Sequence, residues 1–498
     1  GSMPARGYMP FTAIEDQKNG VTWAAWIEAP DSWQMEAVHR YGGITLFGGH
    51  ADYLFGHWRK TLKTGEKFKT RSAFFTAVEG GLTEACAALT KYQETRYRFP
   101  PSEETLPVVY NEYLCSWGNP TIDNIRPQLA LARELGAEYF VIDAGWFCDC
   151  WDSQLGDWEV SKKRFPRGLK EFSDAFREAG FTAGGVWYEF EGVTALSEVS
   201  KKTDWLLKED GVVIDHGGRM FLDFRKAEVT DYLTKRVIDT LNENCLNYIK
   251  IDYNENIGLG ADGAESPGEG LRRQMEKVVE FFEKLRAGVK GLVMEVCSSG
   301  GMRHEPLFMT LGSMVSFSDA HENADGAVVA ADLHRVMQPR TMQIWASVLP
   351  THTLDEVYFT MVKAMLGRIC LSGRLSDVSP EVFSVVKAGV DYYRTIKEIV
   401  KDGETILIDT DEIRSLRHPK GIVRLARRSG DGNRLLCYGF AYGETEREAV
   451  FPAKGYRLVS VYGNGRAACE KGEAKIFIGG KPLAAAVALL EKIKRGKA

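Results

Sequence analysis

Hydrophobic and polar positions divide the chain into three stretches by their rhythm. Residues 1–100 carry short segments of every-other-residue alternation, such as 20–28 and 33–38, set apart by the pairs Gly42-Gly43 and Gly48-Gly49. A period of two broken by turn residues predicts an antiparallel β region. From Pro107 onward each short apolar run is followed by a charged amphipathic stretch, the rhythm of parallel βα units. Strands are predicted at 108–113, 139–143, 182–188, 248–252, 291–296, 314–318, 342–348 and, most faintly, 367–371, with helices at 125–135, 228–242 and 269–286 among them. Eight such units favour an α/β fold closed into a (β/α)₈ TIM barrel over an open sheet. After a helix at 381–401, short strands return at 405–409, 421–428, 434–439, 456–462 and 474–478, predicting a C-terminal antiparallel β-sandwich. The expected division is a β domain over 1–103, the barrel over 104–402 and the sandwich over 403–498.

Polar residues gather where the predicted barrel strands end: Asn111 and Glu112, Asp143, Glu189 and Glu191, Asp252, Cys297 and Ser298, and Asp319. One or two would be ordinary loop anchors. Polar ends on six successive strands point to an active site, because barrel enzymes build theirs at the carboxyl ends of the strands.

Composition narrows the partners. Lys and Arg number 63 against 68 Asp and Glu, a net charge of −5 with no basic block, so nucleic acid is not an expected partner. The longest apolar runs, 326–331 and 483–490, fall far short of the ~20 residues of a membrane span, and no membrane partner is expected. Nine cysteines without a repeated Cys-x-x-Cys spacing read as reduced thiols. Cys148-Asp149-Cys150 lacks two further local ligands, so no metal is expected. No phosphate loop and no dinucleotide fingerprint occurs, so the expected cofactor is none. Unpaired cysteines favour the cytoplasm. Gly1-Ser2-Met3 looks like the remnant of tag removal, which leaves a removed secretion signal open.

The stretch 247–254 carries the clearest chemistry. Side chains alternate along a strand, so Lys250, Asp252 and Asn254 share one face, and the lysine favours the ionised form of Asp252. An internal ion pair at a strand end is the plain alternative. A second cluster, 316–322, ends the strand two positions further round. Asp319, flanked by Phe317 and Ala320 with no neighbouring cation, suits a proton donor. One carboxylate held ionised and another kept protonated is what glycosidic cleavage requires. Trp146 and Trp187 are placed to stack on a pyranose while Asp143, Glu189 and Lys250 bond its hydroxyls, although each tryptophan also reads as core. The sequence does not give the carboxylate separation, so retention or inversion does not follow from these residues.

A family resemblance rests on eight blocks in order across about residues 107–375: FVIDAGWF at 140–147, LGDWEV at 155–160, RFPRGL at 164–169, WYEFE at 187–191, LDF at 222–224, YIKIDYN at 248–254, CSSGGMR at 297–303 and FSD at 317–319. The chain resembles the α-galactosidases of glycoside hydrolase family thirty-six. That resemblance implies a retaining double displacement, with Asp252 as nucleophile and Asp319 as acid/base. It implies sugar contacts from Asp143, Trp187 and Lys250, and a loop bearing Cys297, Ser298 and Gly300 near the C2 substituent. Trp146, Glu189, Arg219 and Asn254 complete the expected substrate contacts. The family's N-terminal β-supersandwich is expected only in part, either reduced or trimmed.

Three departures bear on the sugar. Ala144 stands where many members carry a second aspartate, removing a charged hydroxyl contact worth about 1.5–3 kcal/mol. His321-Glu322 follows Asp319 and Ala320 in place of the usual sequence, and Glu322 is a candidate to receive a C2 amine. Arg219 is the candidate for the arginine before the Leu222-Asp223 block. The leading expectation is hydrolysis of terminal α-galactosyl residues from an oligosaccharide or glycoconjugate. An α-N-acetylgalactosaminidase or α-galactosaminidase with the same mechanism, a transglycosylase, and a non-catalytic carbohydrate-binding protein are the alternatives. A homo-oligomer is left open.

Overall fold

The computed structural model describes residues 1–320, 323–410 and 418–493. Eight parallel strands close on themselves: β1 (Val109–Asn111), β2 (Tyr139–Ile142), β3 (Ala183–Tyr188), β4 (Tyr248–Ile251), β5 (Val293–Val296), β6 (Met314–Ser316), β7 (Met342–Ser347) and β8 (Arg368–Ser372). They follow one another round the barrel in chain order, with β3 paired to β4 and β8 to β1. Both faces of each strand are covered, which is why the strands read as continuous apolar runs. Alternate residues serve two cores. Val109, Tyr139, Val141, Tyr248, Val293 and Trp345 fill the lumen, while Tyr110, Phe140, Ile142, Val186 and Ile249 pack outward against the helices.

The lumen also carries charge. Arg368 and Glu103 are fully buried together at the base, with Arg368 Nη1 donating to Glu103 Oε1 at 3.0 Å and Tyr139 Oη donating to the same oxygen at 2.9 Å. A buried ion is tolerated only when paired and hydrogen-bonded in this way. Higher up, Lys250 stands in register between Trp187 and Glu295.

Two of the expected elements differ from the sequence pattern. The helix expected over 228–242 is three pieces, Ala227–Leu233, a π turn at Thr234–Asp239 and Thr240–Glu243. The Arg236 carbonyl inside that turn accepts from Tyr188 Oη at 3.0 Å, and a carbonyl drawn off its ladder is one cause of such widening. The N-terminal region is not purely β. Beside its sheet of Phe11–Asp16, Val21–Ile27 and Ala73–Glu79 and its hairpin Trp33–Arg40/Gly43–His50 it holds the helix Leu82–Glu94, which follows the sheet's last strand and packs on the sheet. That helix buries Ala85, Cys86, Leu89 and Gln93, a 3.6-residue spacing that the surrounding alternation obscures.

The C-terminal strands form a five-stranded antiparallel sheet facing a three-stranded one. The apolar run at 483–490 belongs to Leu483–Lys492, which pairs on both sides with Arg434–Tyr442 and Tyr456–Gly463. Arg427, on the strand Gly421–Arg428, reaches the last turn of the helix Pro380–Asp402 and donates to the Ile399 and Val400 carbonyls at 3.2 and 3.0 Å. The Ile399 carbonyl also accepts the Gly403 N–H at 3.0 Å, so the sandwich adds to the cap of the barrel's final helix. Among the described residues no helix is long and apolar enough to cross a membrane.

Candidate active site

The carboxyl ends of β2 to β6 converge at one mouth. Asp252 follows β4 directly, and its backbone N–H still donates to the Tyr188 carbonyl at 2.7 Å, which fixes the strand end. Its Oδ1 accepts from the Tyr253 N–H at 2.8 Å and the Ser299 N–H at 3.0 Å, while among the described residues Oδ2 accepts only from Trp187 Nε1 at 3.1 Å. Oδ2 is therefore the oxygen with a lone pair to spare. Burial alone would raise the Asp252 pKa, but the Lys250 charge, the two N–H bonds and the indole outweigh it and hold the carboxyl below its usual range.

Lys250 acts on Asp252 without pairing with it. Its Nζ lies 2.7 Å from Asp143 Oδ2, at the end of β2, and 5.0 Å from the centre of the Trp345 ring. The expected side-by-side pair is thus redirected across the lumen. Asp143 is further held by Asn111 Nδ2 at 2.8 Å on Oδ2 and by the Ala144 N–H at 2.8 Å on Oδ1.

Asp319 stands on the same mouth, two strands round. Burial, and then the negative charge of Asp252, push its carboxyl up to about 6. Cys297 Sγ donates to Asp319 Oδ1 at 3.7 Å. The loop after β5 links both acids. Ser298, Ser299 and Gly300 run through the left-handed region with φ of +66°, +49° and +64°, costly for the two serines. A Cβ at Gly300 would lie 2.1 Å from the Asp319 backbone nitrogen, so only glycine fits.

Behind the loop, Ser299 Oγ donates to Asn254 Oδ1 at 2.8 Å, and Asn254 Nδ2 donates to Glu189 Oε2 at 2.9 Å. Arg219 Nη2 lies 3.5 Å from the same Glu189 oxygen. Burial raises Glu189 to about 7, against the opposing charge of Arg219. The structure therefore brings Asp143, Trp187, Glu189, Arg219, Lys250, Asn254, Cys297, Ser298 and Gly300 around the two acids.

Trp146 departs from its expected place as a sugar platform. It is 0% exposed, its Nε1 donates to the Trp187 carbonyl at 2.7 Å, and its ring meets Phe147 and Tyr188 edge-on. It is a core residue because it packs in the outer cluster behind the strand end. Trp187, 1% exposed, offers no open face either, and it meets the site through its indole N–H to Asp252. Trp187→Phe should remove that bond, which favours the charged form, so the acid limb of a pH–rate profile should move to higher pH. A limb that stays in place would contradict the assignment.

Two neighbours adjoin these residues, Tyr113, which the sequence did not single out, and Glu112, which it marked only as a polar strand end. Tyr113 packs over the lumen cluster, and burial followed by Asp143, with Asp319 and Asp252 adding, raises its phenol. Its position just after a strand end was the available signal. Glu112 is 0% exposed, with neither oxygen in a hydrogen bond of normal geometry, and burial raises it to about 8. Burial thus disfavours its charged form beside Asp143. His321 and Glu322 lie outside the described residues, and among the described residues no group of three or more His, Cys, Asp or Glu side chains is placed to hold a metal.

One carboxyl held below the usual range and another raised to about 6 at the same mouth make an arrangement able to cleave a glycosidic bond. A sequence model of the family described as Melibiase matches residues 67–403. α-Galactosidase Mel36A of Lactobacillus acidophilus is 26% identical over 73% of the chain and 51% of its own length. The chain spans about half the length of the curated relatives it matches. Among solved structures, a variant of the family-36 α-galactosidase AgaA from Geobacillus stearothermophilus in complex with 1-deoxygalactonojirimycin superposes with a TM-score of 0.84 at 18% identity, covering 97% of this chain and 69% of that one. A further AgaA variant, in complex with raffinose, gives 0.83 at 19% with the same coverage. At these identities the structures speak for the fold.

Proposed function

Because the chain belongs to the Melibiase family, we propose that it is a retaining α-glycosidase that removes terminal α-galactosyl residues from oligosaccharides or glycoconjugates. The observation that carries this reading is the split state of the two acids, with Asp252 held ionised and Asp319 raised to about 6. Asp252 Oδ2 attacks the anomeric carbon while Asp319 gives its proton to the departing oxygen. The galactosyl ester on Asp252 is then opened by water, whose proton returns to Asp319. Lys250 and Asp143 are the groups proposed to bond the sugar hydroxyls, with Cys297, Ser298 and Gly300 beside C2. Every step is a displacement or a proton transfer between these side chains, substrate and water.

The relatives named above as α-galactosidases, and the galactose-like inhibitor and raffinose in the solved complexes, support galactose as the sugar. Ala144, where a second aspartate is usual, favours the second reading: α-N-acetylgalactosamine or α-galactosamine handled by the same mechanism. A panel of aryl α-glycosides differing only at C2 and C4 tests both. The galactoside should be cleaved, and its C4 epimer, the glucoside, poorly. Preference for a C2-amino or C2-acetamido sugar would replace galactose, and cleavage of none would favour a binding protein. Product analysis with added acceptor sugar separates hydrolysis from transglycosylation.

A further inference from the structure

A proton donor works only if its proton sits on the oxygen that faces the leaving group, and the two oxygens of a carboxyl are alike until a neighbour tells them apart. Asp319 has such a neighbour. Cys297 follows β5 directly, is 1% exposed, and its backbone N–H donates to the Ile251 carbonyl at 2.8 Å, which fixes it at the strand end. Its thiol donates to Asp319 Oδ1 at 3.7 Å. Among the described residues this is the one hydrogen bond that the Asp319 carboxyl makes, so Oδ2 is left for substrate. The contact is supported along the chain on both sides. His304 Nε2 lies 3.1 Å from the Ser316 carbonyl, and a Cβ at Gly301 would come 2.9 Å from the Phe317 carbonyl oxygen, so the loop after β5 is seated along the segment that leads into Asp319.

The thiol acts here as a donor. Burial first, and then Asp252 and Asp319, hold it well above its ordinary range, so it keeps its proton, and thiol sulfur accepts poorly. A donor on Oδ1 makes that oxygen the acceptor of the carboxyl and leaves the acidic proton to Oδ2. Among the described residues, the groups that bear on Asp319 are Asp252 and Lys250 at β4, Asp143 at β2, Cys297 at β5 and Tyr113 after β1. Burial and then Asp252 raise the Asp319 carboxyl, Lys250 opposes them, Asp143 adds to them, and the thiol, by favouring the charged form, opposes them again. Because sulfur is a weak donor, it orders the carboxyl without drawing off its proton, which suits a group that must stay protonated.

We propose that Cys297 is a positioning residue for the proton donor: its thiol claims Asp319 Oδ1 and so keeps the acidic proton on Oδ2, toward the leaving group. This rests on the α-galactosidase reading of the site. A role confined to the sugar's C2 would affect all galactosides alike, whereas a role on Asp319 affects those whose leaving group needs a proton. The test compares kcat/KM across pH for raffinose, which needs one, and for dinitrophenyl α-galactoside, which does not, in the wild type, Cys297→Ala and Cys297→Ser. The raffinose-to-dinitrophenyl ratio should fall about tenfold in Cys297→Ala and by less in Cys297→Ser, which keeps a donor in place. Loss of the thiol's bond disfavours the charged form, so the alkaline limb for raffinose should move up by about half a pH unit in Cys297→Ala. Equal losses on the two substrates, or a limb that stays in place, overturn the proposal and leave the glycosidase reading intact. Should Cys297→Ala fail to fold, Cys297→Val, which fills the space without a donor, takes its place. A wild type that cleaves neither galactoside overturns the α-galactosidase reading instead. The titration of Asp319, read from the carboxyl-carbon NMR signal that Asp319→Asn removes, then decides the proposal: an upward move in Cys297→Ala supports it, and no move overturns it.

Discussion

Asp252→Gly is expected to lower turnover of an aryl α-galactoside by roughly 10⁴-fold or more, since a covalent pathway without its nucleophile keeps only binding and electrostatic help. The stereochemistry of rescue is the sharper readout. Azide entering the space vacated by the carboxylate would attack the anomeric carbon from the Asp252 side and yield β-galactosyl azide, with configuration inverted. The structure favours this outcome because Trp187 Nε1 and the Ser299 N–H, which hold the carboxylate, remain to orient a small anion. Retained activity in Asp252→Gly, or an α-azide product, would sink the nucleophile assignment.

Asp319→Asn should cost roughly 10²–10⁴-fold on substrates with poor leaving groups, such as oligosaccharides, and much less on activated aryl glycosides in the first step. Here azide should intercept the glycosyl ester on Asp252 and give the α-azide, with configuration retained, so the two variants answer with opposite anomers. The pH profile carries a second signature. Asp319 must hold its proton, so kcat/KM should fall as pH rises past about 6. Asp252 must have lost its own, so activity should also fall as pH drops toward its depressed pKa. The optimum therefore lies on the acid side of neutral, and Asp319→Asn should abolish the alkaline limb alone. A limb surviving in that variant would assign the titration to another group, with Glu189, raised to about 7, the nearest candidate.

Much of the barrel was legible because a strand buried on both faces leaves an apolar run that stops abruptly at a polar residue. All eight runs correspond to strands, and Asp252 and Asp319 follow β4 and β6 at the same mouth, as the carboxyl ends of parallel strands must. What escaped depends on neighbours across the lumen, which a one-dimensional pattern does not encode. Alternation gave the face of Lys250 but not its choice of Asp143 as partner. Trp146 and Trp187 looked alike as aromatic residues at strand ends, yet one is core and the other holds Asp252. The strands Arg447–Pro452 and Arg466–Glu470 were missed because their charged and small residues blur the alternation. Tyr113 and Trp117 sit in a turn too short to have a period of its own.

The loop after β5 acts as a gauge block between two groups on different strands. It touches Asp252 through the Ser299 N–H and fits against the Asp319 backbone through the bare Gly300, so one short left-handed segment contacts both acidic residues. The same coupling narrows what mutation can explore. Lengthening the loop by one residue would displace the attacking oxygen and the donated proton together, and carboxylate spacing is what separates a retaining enzyme from an inverting one. On the proposed mechanism the loop after β5 therefore bears on stereochemistry, while Asp143 and Ala144, the positions proposed to bear on the sugar, lie outside it.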